Sequence, residues 1–149
     1  MTPAALAEYL HQNIPLSRGM DVTVEEAGAD QVVLTAPLAP NLNMHGTMFG
    51  GSLATLALMA AWSVLHLRLE QLSTEAQLVV RRSEVEYMRP VSGAAKAVAR
   101  LDGAEWNGFV QRLERRGKAR INLLAEVLFD EGVAARLKGE FVATLTRNR

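Results

Sequence analysis

The sequence contains no cysteine among its 149 residues, and its formal net charge at pH 7 is zero. Without cysteine the chain cannot form disulfides, thiolate metal sites or a cysteine nucleophile. A neutral chain lacks the basic excess that marks a large nucleic-acid interface, so we expect no nucleic-acid partner. No group of histidines and carboxylates has the spacing of a metal site, so we expect no metal.

Signals for export are also missing. The N-terminus has no basic segment followed by an apolar run, so we expect no signal peptide and predict a cytoplasmic location. The composition is that of a globular protein, with 49% hydrophobic and 21% charged residues. The length predicts a single domain over residues 1–149.

The longest apolar stretch runs from Ser52 to Leu67 and contains no charged residue when His66 is neutral. A helix that is apolar on all sides is a buried helix. This stretch is shorter than a membrane span, and it contains several polar residues, so we expect no membrane association. We predict the central helix of the domain here, ending near Glu70, with a polar loop from Asn41 to Gly51 before it.

Strand patterns surround this helix. The pattern predicts a short helix over residues 2–10, a hairpin within residues 20–36, and strands over 77–89, 94–101, 119–129 and 133–145. We predict a loop over 102–108, and the pattern over 109–116 fits either a short helix or an irregular connection. The order predicts an α+β fold with an antiparallel sheet. Either the sheet curls round the central helix or a second subunit covers the rest of it.

Three motifs then resemble one family. Residues 41–53 read N-L-N-M-H-G-T-M-F-G-G-S-L, residues 87–91 read Y-M-R-P-V, and residues 117–121 read G-K-A-R-I. Together they resemble the thioesterase-like domain at the C-terminus of YiiD-type proteins, over essentially the whole chain. The resemblance implies a hotdog fold, in which a curled antiparallel sheet wraps around one long helix. It also implies a homodimer or a dimer of dimers, often with the active site at the dimer interface.

YiiD-type proteins carry an acetyltransferase domain ahead of this one, so we expect the chain to be the stand-alone form. The resemblance implies substrates whose acyl group is carried on the phosphopantetheine of coenzyme A or acyl carrier protein, and it implies no further cofactor. Two chemistries are implied as well: hydrolysis of acyl thioesters, and decarboxylation of malonyl-acyl carrier protein to prime fatty-acid synthesis.

Both reactions place negative charge on the thioester oxygen and need fixed hydrogen-bond donors there. The free N–H groups at the start of the central helix supply such donors, and glycine lets a ligand approach the backbone closely. We therefore predict Gly51 as the catalytic donor, with Gly50 and Ser52 beside the substrate. The alternative interpretation is a tight turn without a ligand.

Hydrolysis also needs a base to activate water. Related hotdog thioesterases with an H-G-G turn carry a carboxylate on the central helix at the position of Leu58, and they have histidine at the position of Phe49. The helix here contains no aspartate or glutamate. A hydrolytic base would have to come from elsewhere, for example from Glu84 or Glu86 of a second subunit.

Decarboxylation requires neutral donors and no such base. Asn41 and Asn43 offer amide donors, so we predict that Asn43, together with Asn41, holds the malonyl carboxylate or the thioester oxygen beside the Gly51 amide. The alternative is that an asparagine only stabilises the loop. A hydrolase and a non-catalytic acyl-coenzyme A-binding protein are the competing functions.

Other loop residues are candidates for substrate contact. His45 is a candidate general acid or base, but it has no carboxylate partner on the helix. Thr47 either caps the helix or donates to the ligand, and the pattern favours the cap. Met48 and Phe49 either line an acyl tunnel or belong to the core.

Two further features lie outside the loop. We interpret Trp62 and His66 as core or interface residues. Between 112 and 120 there are five basic residues and one acidic residue. Such a patch suits a phosphate or the acidic face of a carrier protein, with Arg115, Arg116 and Lys118 as the contacts. The alternative is an ordinary solvated turn.

Overall fold

The structure is a computed structural model that describes residues 1–146. The α-helices are α1 (Pro3–Asn13), α2 (Pro15–Gly19), α3 (Gly50–Leu69) and α4 (Gly103–Arg116), and a 3-10 turn spans Ala39–Asn41. The strands are β1 (Thr23–Ala27), β2 (Gln31–Ala36), β3 (Ala76–Tyr87), β4 (Ala95–Arg100), β5 (Lys118–Phe129) and β6 (Gly132–Leu145).

All six strands form one sheet in the order β1-β2-β4-β5-β6-β3, and every neighbouring pair is antiparallel. Helix α3 contacts strands β2 to β6, so the sheet curls round it. The predicted α+β fold is therefore confirmed. Of the two ways predicted for covering the apolar helix, curling of the sheet accounts for most of its burial.

Burial of α3 follows from its composition. Eleven of its residues are buried, among them Leu56, Ala60 and Val64, which are fully enclosed. A helix with so little polar surface gains stability mainly from packing rather than from helix propensity. By length and composition alone, α3 could span a membrane. However, 61% of its most apolar segment is buried inside the domain.

One face of α3 is less enclosed than the rest. The residues on this face follow helical spacing and stay partly exposed: Gly51, Thr55, Leu58, Trp62 and His66. The face runs alongside β3. At one end the Tyr87 hydroxyl donates to the Gly50 carbonyl at 3.0 Å, and at the other the Trp62 indole N–H donates to the Leu78 carbonyl at 3.1 Å. We call it the open face of α3.

The C-terminal hairpin agrees with its sequence pattern. In β5 the residues at odd positions from Ala119 to Val127 are buried, which places them on the face of the sheet toward α3. Asp130 and Glu131 have φ of 52° and 60°, as a two-residue hairpin turn that matches the strand twist requires. Both predicted strands are confirmed.

One prediction for the connections is wrong. The predicted loop over 102–108 is the first half of α4, where the Asp102 carboxylate caps the helix by accepting the Ala104 N–H at 2.7 Å. A buried stripe of Trp106, Phe109 and Leu113 fixes α4 against the sheet. The helical alternative for 109–116 is confirmed.

The N-terminal segment also differs in detail. Helix α1 is confirmed, with the Thr2 hydroxyl accepting the Ala5 N–H at 3.1 Å. The short helix α2 was not predicted, although Pro15 at its first position is a typical helix start. Because α2 extends to Gly19, strand β1 begins at Thr23 and not at Met20.

Candidate functional site

The start of α3 presents free backbone donors. Phe49 precedes the helix and makes no side-chain cap, while its carbonyl accepts the N–H groups of Ser52 at 2.9 Å and Leu53 at 3.2 Å. Within residues 1–146, the N–H groups of Gly50 and Gly51 have no acceptor. Two unpaired amides at the positive end of a 20-residue helix form a site suited to a developing negative charge.

A Cβ at Gly51 would not fit beside Phe49. It would lie 2.4 Å from a ring carbon of Phe49, so the ring would have to move. Phe49 is 59% exposed, and its ring lies over the first turn of α3. At Gly50 a Cβ would make only ordinary contacts with Tyr87, at 3.5 Å. The glycine at 51 therefore leaves room for an exposed aromatic ring beside the first turn of α3.

The loop before the helix is organised by Asn43. Its Oδ1 accepts the N–H groups of His45 at 2.8 Å and Thr47 at 3.1 Å, and its Nδ2 donates to the Thr47 hydroxyl at 2.8 Å. Gly46 has φ of 80°, which closes the loop. Asn43 thus stabilises the loop, which is the structural role that the sequence analysis gave as the alternative to ligand binding. The second N–H of its amide makes no bond in the described chain, and its role toward a ligand stays a prediction.

Asn41 is a different case. It is only 3% exposed, and its Nδ2 donates to the carbonyls of Met20 at 2.9 Å and Pro37 at 2.8 Å. Both amide protons are therefore used inside the protein, and the prediction that Asn41 donates to a ligand is wrong. Its backbone carbonyl accepts the Phe49 N–H at 2.8 Å, so Asn41 fixes the entry to α3.

The remaining loop candidates divide by exposure. Thr47 does not cap α3, contrary to prediction, because its hydroxyl faces Asn43 and the cap position belongs to Phe49. Met48 is 3% exposed and belongs to the core. Ser52 is partly exposed in the first turn, and His45 is exposed, with no side-chain partner in the described residues.

Tyr87 is a site residue that the sequence motif located but did not explain. Its hydroxyl holds the Gly50 carbonyl, so it fixes the first turn of α3 against the end of β3. The Y-M-R-P-V motif marked this position. Nothing in the motif showed that the ring would reach the start of a helix 37 residues earlier.

The chain is similar in sequence and fold to known proteins. Residues 3–145 match the family described as "Putative thioesterase (yiiD_Cterm)". The chain belongs to this family. Its fold is the hotdog fold that the sequence resemblance predicted.

Solved structures of similar proteins match over almost their full length. A protein of unknown function from Chlorobaculum tepidum is 30% identical, with a TM-score of 0.90 over 97% of this chain and 98% of that one. A structure described as a thioesterase candidate from Shewanella oneidensis is 27% identical, with a TM-score of 0.85 over 95% and 96%. A thioesterase from Haemophilus influenzae, 14% identical with a TM-score of 0.77 over 100% and 94%, shares the fold.

Membership of the thioesterase family makes acyl thioesters the substrate class at the coarse level. The residues predicted to hold the phosphate do not lie near Gly50–Gly51 in the same chain. Arg115 and Arg116 form the last turn of α4, and Lys118 begins β5 opposite Thr144. This end of the sheet carries Ala76 of β3, whereas Gly50 lies by Tyr87, roughly 35 Å away along the strand. All three basic side chains are exposed.

A cavity of about 800 Å³ lies at the C-terminal end of α3. The rings of Tyr9 and Trp62 each stack on the ring of His66 with centroids 4.6 Å apart. The opposite wall is the start of β3, from Ala76 to Val79, and polar residues of the preceding loop line the mouth. Trp62 and His66 therefore line the cavity on the open face of α3. Both side chains are partly exposed.

His66 has an unusual environment in this cavity. Its Nε2 is buried and makes no hydrogen bond within the described residues, although a Glu70 carboxylate oxygen lies 3.5 Å away without hydrogen-bond geometry. Burial lowers the pKa of His66 below its ordinary value of 6.5, and the Glu70 charge offsets part of this effect. The fold therefore favours neutral His66.

We expect this histidine to destabilise the protein in acid. Because its folded pKa is lowered, the unfolded chain binds more protons below pH 6.5, and the free energy of unfolding falls as the pH drops from 6.5 toward the folded pKa. Replacing His66 by Phe keeps an aromatic ring in the stack but removes the titration. The difference in urea midpoint between wild type and His66→Phe should change with pH only below about 6.5. A difference that is constant from pH 5 to 8 would contradict this.

Proposed function

We propose that the chain decarboxylates malonyl-acyl carrier protein to acetyl-acyl carrier protein, which primes fatty-acid synthesis. The observation that carries the proposal is the pair of free amides at Gly50 and Gly51 on a helix that has no carboxylate anywhere between Gly50 and Leu69. The amides suit a developing oxyanion, and the helix offers no carboxylate to activate water.

In the proposed reaction the bond between the malonyl carboxylate and the neighbouring carbon breaks. Carbon dioxide leaves, and the bonding electrons pass to the thioester oxygen as an enolate. The Gly50 and Gly51 amides stabilise that oxygen, helped by the positive end of α3. The enolate carbon then takes one proton from water, and acetyl thioester is the product.

Asn43 would orient the substrate. Its unused N–H can donate to the malonyl carboxylate while its other bonds keep the loop in shape. An uncharged donor is important here, because a carboxylate at this place would repel the substrate carboxylate.

Hydrolysis of acyl thioesters is the second candidate, and family membership favours it directly. The position where related enzymes are expected to carry a carboxylate is Leu58, on the open face of α3. Glu84 and Glu86 pair with Lys138 and Arg136 of β6 on the outer face of the sheet, so they point away from α3 in their own chain. A non-catalytic acyl-coenzyme A-binding role is the third candidate.

Mass spectrometry of malonyl-acyl carrier protein after incubation with the protein separates these functions. Acetyl-carrier protein supports decarboxylation, and free carrier thiol supports hydrolysis instead. If neither forms from malonyl or longer acyl substrates, the catalytic proposals fail and the binding role is favoured. Since the chain has no cysteine, a thiol-reactive dye reports only the carrier thiol.

The expected partners are acyl carrier protein or coenzyme A thioesters and a second copy of the chain, in the cytoplasm and without a separate cofactor. For the carrier protein we expect the exposed Arg115 and Arg116 to form part of the docking surface. Their positive charge suits an acidic partner.

Reversing both charges, Arg115→Glu with Arg116→Glu, should raise KM for malonyl-acyl carrier protein roughly fivefold to thirtyfold, because each exposed ion pair contributes about 0.5 to 1 kcal/mol. The value of kcat should stay the same. Reversal of the exposed Arg18 on α2 serves as the control. Equal KM values for the double variant and the control would show that this patch does not bind the carrier.

A further inference from the structure

The hydroxyl of Tyr87 donates to a carbonyl that shares a peptide bond with one of the two free amides. A peptide unit joins the C=O of one residue to the N–H of the next, so the Gly50 carbonyl and the Gly51 N–H form one conjugated group. The Tyr87 hydroxyl lies 3.0 Å from the oxygen of this group, while the N–H of the group has no acceptor within residues 1–146. Tyr87 therefore binds the opposite end of a peptide whose N–H faces the site.

The fold brings Tyr87 to this carbonyl from a distant part of the sequence. Tyr87 is the last residue of β3 and lies opposite Ala135 of β6, which is buried. Just beyond β3, the Val91 carbonyl accepts the Met48 N–H at 2.8 Å, which holds this end of the strand beside the loop that leads into α3. The Tyr87 ring lies 3.5 Å from the position that a Cβ of Gly50 would occupy. The bond from Tyr87 thus joins two elements of the fold and is not part of the helix itself.

A hydrogen bond to the oxygen of a peptide strengthens the N–H of that peptide as a donor. The bond favours the resonance form in which the C–N bond is double and the nitrogen carries positive charge. Successive hydrogen bonds in such a chain polarise one another by about 10–30% each. In the helical pattern the Gly50 carbonyl also accepts the N–H of Ala54. The bond from Tyr87 therefore adds to the polarisation that the helix already supplies.

A second hydroxyl makes the same kind of bond one residue later. The Thr55 hydroxyl donates to the Gly51 carbonyl at 2.8 Å. The N–H of that peptide belongs to Ser52 and is already bound to the Phe49 carbonyl at 2.9 Å. Thr55 therefore acts on an amide that is occupied within the helix turn, whereas Tyr87 acts on an amide that is free.

We propose that Tyr87 is a positioning residue for the thioester oxygen: by binding the Gly50 carbonyl, it orients the Gly50–Gly51 peptide and strengthens the Gly51 N–H as an oxyanion donor. The proposal rests on the proposed function for the place where the thioester binds. It applies to decarboxylation and hydrolysis alike, because both reactions place negative charge on that oxygen. Orientation is important here, since neither glycine has a side chain that would restrict the plane of the peptide.

Tyr87→Phe should lower kcat for malonyl-acyl carrier protein roughly twofold to eightfold and leave KM unchanged. One oxyanion donor contributes about a hundredfold to a thousandfold in rate, and the loss of one bond in the chain weakens that donor by about 10–30%. The interaction grows as charge develops on the oxygen, so its loss lowers kcat and does not raise KM.

Thr55→Val is the matched control. It removes a hydroxyl from the neighbouring carbonyl in the same turn of α3, but the N–H of that peptide is already bound inside the helix. Its kcat should equal that of the wild type. Equal losses of kcat in Thr55→Val and Tyr87→Phe would overturn the proposal.

A double-mutant cycle separates the effect on the Gly51 amide from a general loosening of the helix start. Gly51→Pro removes the N–H that Tyr87 strengthens, whereas Gly51→Ala keeps it. Adding Tyr87→Phe to Gly51→Ala should lower kcat by the same factor as in the wild type, and adding it to Gly51→Pro should lower kcat no further. If Tyr87 only holds the helix in place, its loss will cost the same factor in both backgrounds, and the proposal fails.

Nuclear magnetic resonance tests the polarisation without any assay of activity. Tyr87→Phe should move the Gly51 amide proton resonance upfield and leave the Ser52 amide in place, because an aromatic ring remains at position 87 and only the hydroxyl is lost. Thr55→Val should move the Ser52 amide and leave the Gly51 amide in place. A Gly51 resonance that stays in place in Tyr87→Phe would contradict the proposal even if kcat falls.

Replacing Tyr87 by 3-fluorotyrosine should have the opposite effect in a protein that keeps the hydroxyl. Fluorine makes the phenol a stronger donor, so at pH 6, where the phenol stays protonated, kcat should exceed that of the wild type. The Gly51 amide proton should move downfield. If kcat does not rise, the strength of the bond from Tyr87 does not affect the reaction, and the proposal is wrong.

Failure of the proposed function would give a different result. If the protein hydrolyses acyl thioesters and does not decarboxylate malonyl-acyl carrier protein, the same variants should change the kcat of hydrolysis by the same factors. If no thioester is turned over, the proposed function fails. The position of the Gly51 resonance in Tyr87→Phe and in the fluorotyrosine protein still decides whether Tyr87 strengthens that amide.

Discussion

Replacing Gly51 with proline should lower the turnover of malonyl-acyl carrier protein by about a hundredfold to a thousandfold, the usual effect of removing one donor from an oxyanion site. Proline removes the backbone N–H at the second position of α3, where no bond within the helix uses it. The first turn of a helix tolerates proline. Gly50, which lacks a Cβ, reduces the steric conflict that proline causes with the residue before it.

The matched control is Gly51→Ala. Both variants place a Cβ against the Phe49 ring, which must move in either case. Only the proline variant loses the N–H, so the ratio of the two kcat values isolates the contribution of that amide. Circular dichroism and thermal melting confirm the fold of each. Equal kcat values for alanine and proline would show that the Gly51 amide does not stabilise the reaction.

Changing Asn43 to Asp should abolish decarboxylation while the loop keeps its shape. The carboxylate can still accept the N–H groups of His45 and Thr47, now through charge-assisted bonds. It places a negative charge beside the malonyl carboxylate and the developing enolate. At about 4 Å near a protein surface this repulsion is about 4 kcal/mol, roughly a thousandfold in rate.

Two further variants separate charge from structure. Asn43→Ala loses all three side-chain bonds of the loop, so it should lower both the melting temperature and the turnover. Thr47→Val breaks only the bond from the Asn43 amide and should cost much less turnover than Asn43→Asp. Single-turnover rates with malonyl-acyl carrier protein measure the effect. Wild-type turnover by Asn43→Asp would remove Asn43 from the proposed mechanism.

Much of the fold was predictable because it depends on periodicity. The apolar run of α3 and the alternation of β5 and β6 each persist over ten or more residues, so their type was clear. The first half of α4 was not predicted, because Gly103 and Gly108 weaken the helical pattern and the stripe of Trp106, Phe109 and Leu113 is visible only against the sheet. Asp102, a good N-cap residue, was the local signal that could have located it.

The site was predictable only where it depends on residues that are close to one another in the sequence. The free amides of Gly50 and Gly51 follow from the start of a helix, which the sequence shows. The bonds of Asn41 to Met20 and of Tyr87 to Gly50 join residues 21 and 37 positions apart, and no local pattern reveals them. The position of the basic residues depends on the register of β5. That register places them at the end of the sheet opposite Gly50–Gly51 of the same chain.

The position of β3 in the sheet also affects how the chain is made. Among residues 1–146 its partner in the sheet is β6, which follows the other five strands, with Ala76 opposite Leu145. During synthesis on the ribosome, α3 and β3 emerge long before β6. Until β6 is made, β3 has no strand to pair with and the apolar helix α3 lacks part of the sheet that buries it. Non-local pairing of this kind slows folding and exposes aggregation-prone surface. A nascent chain stalled before residue 132 should therefore bind chaperones strongly. Chaperone binding should fall once β6 has left the ribosome and pairs with β3.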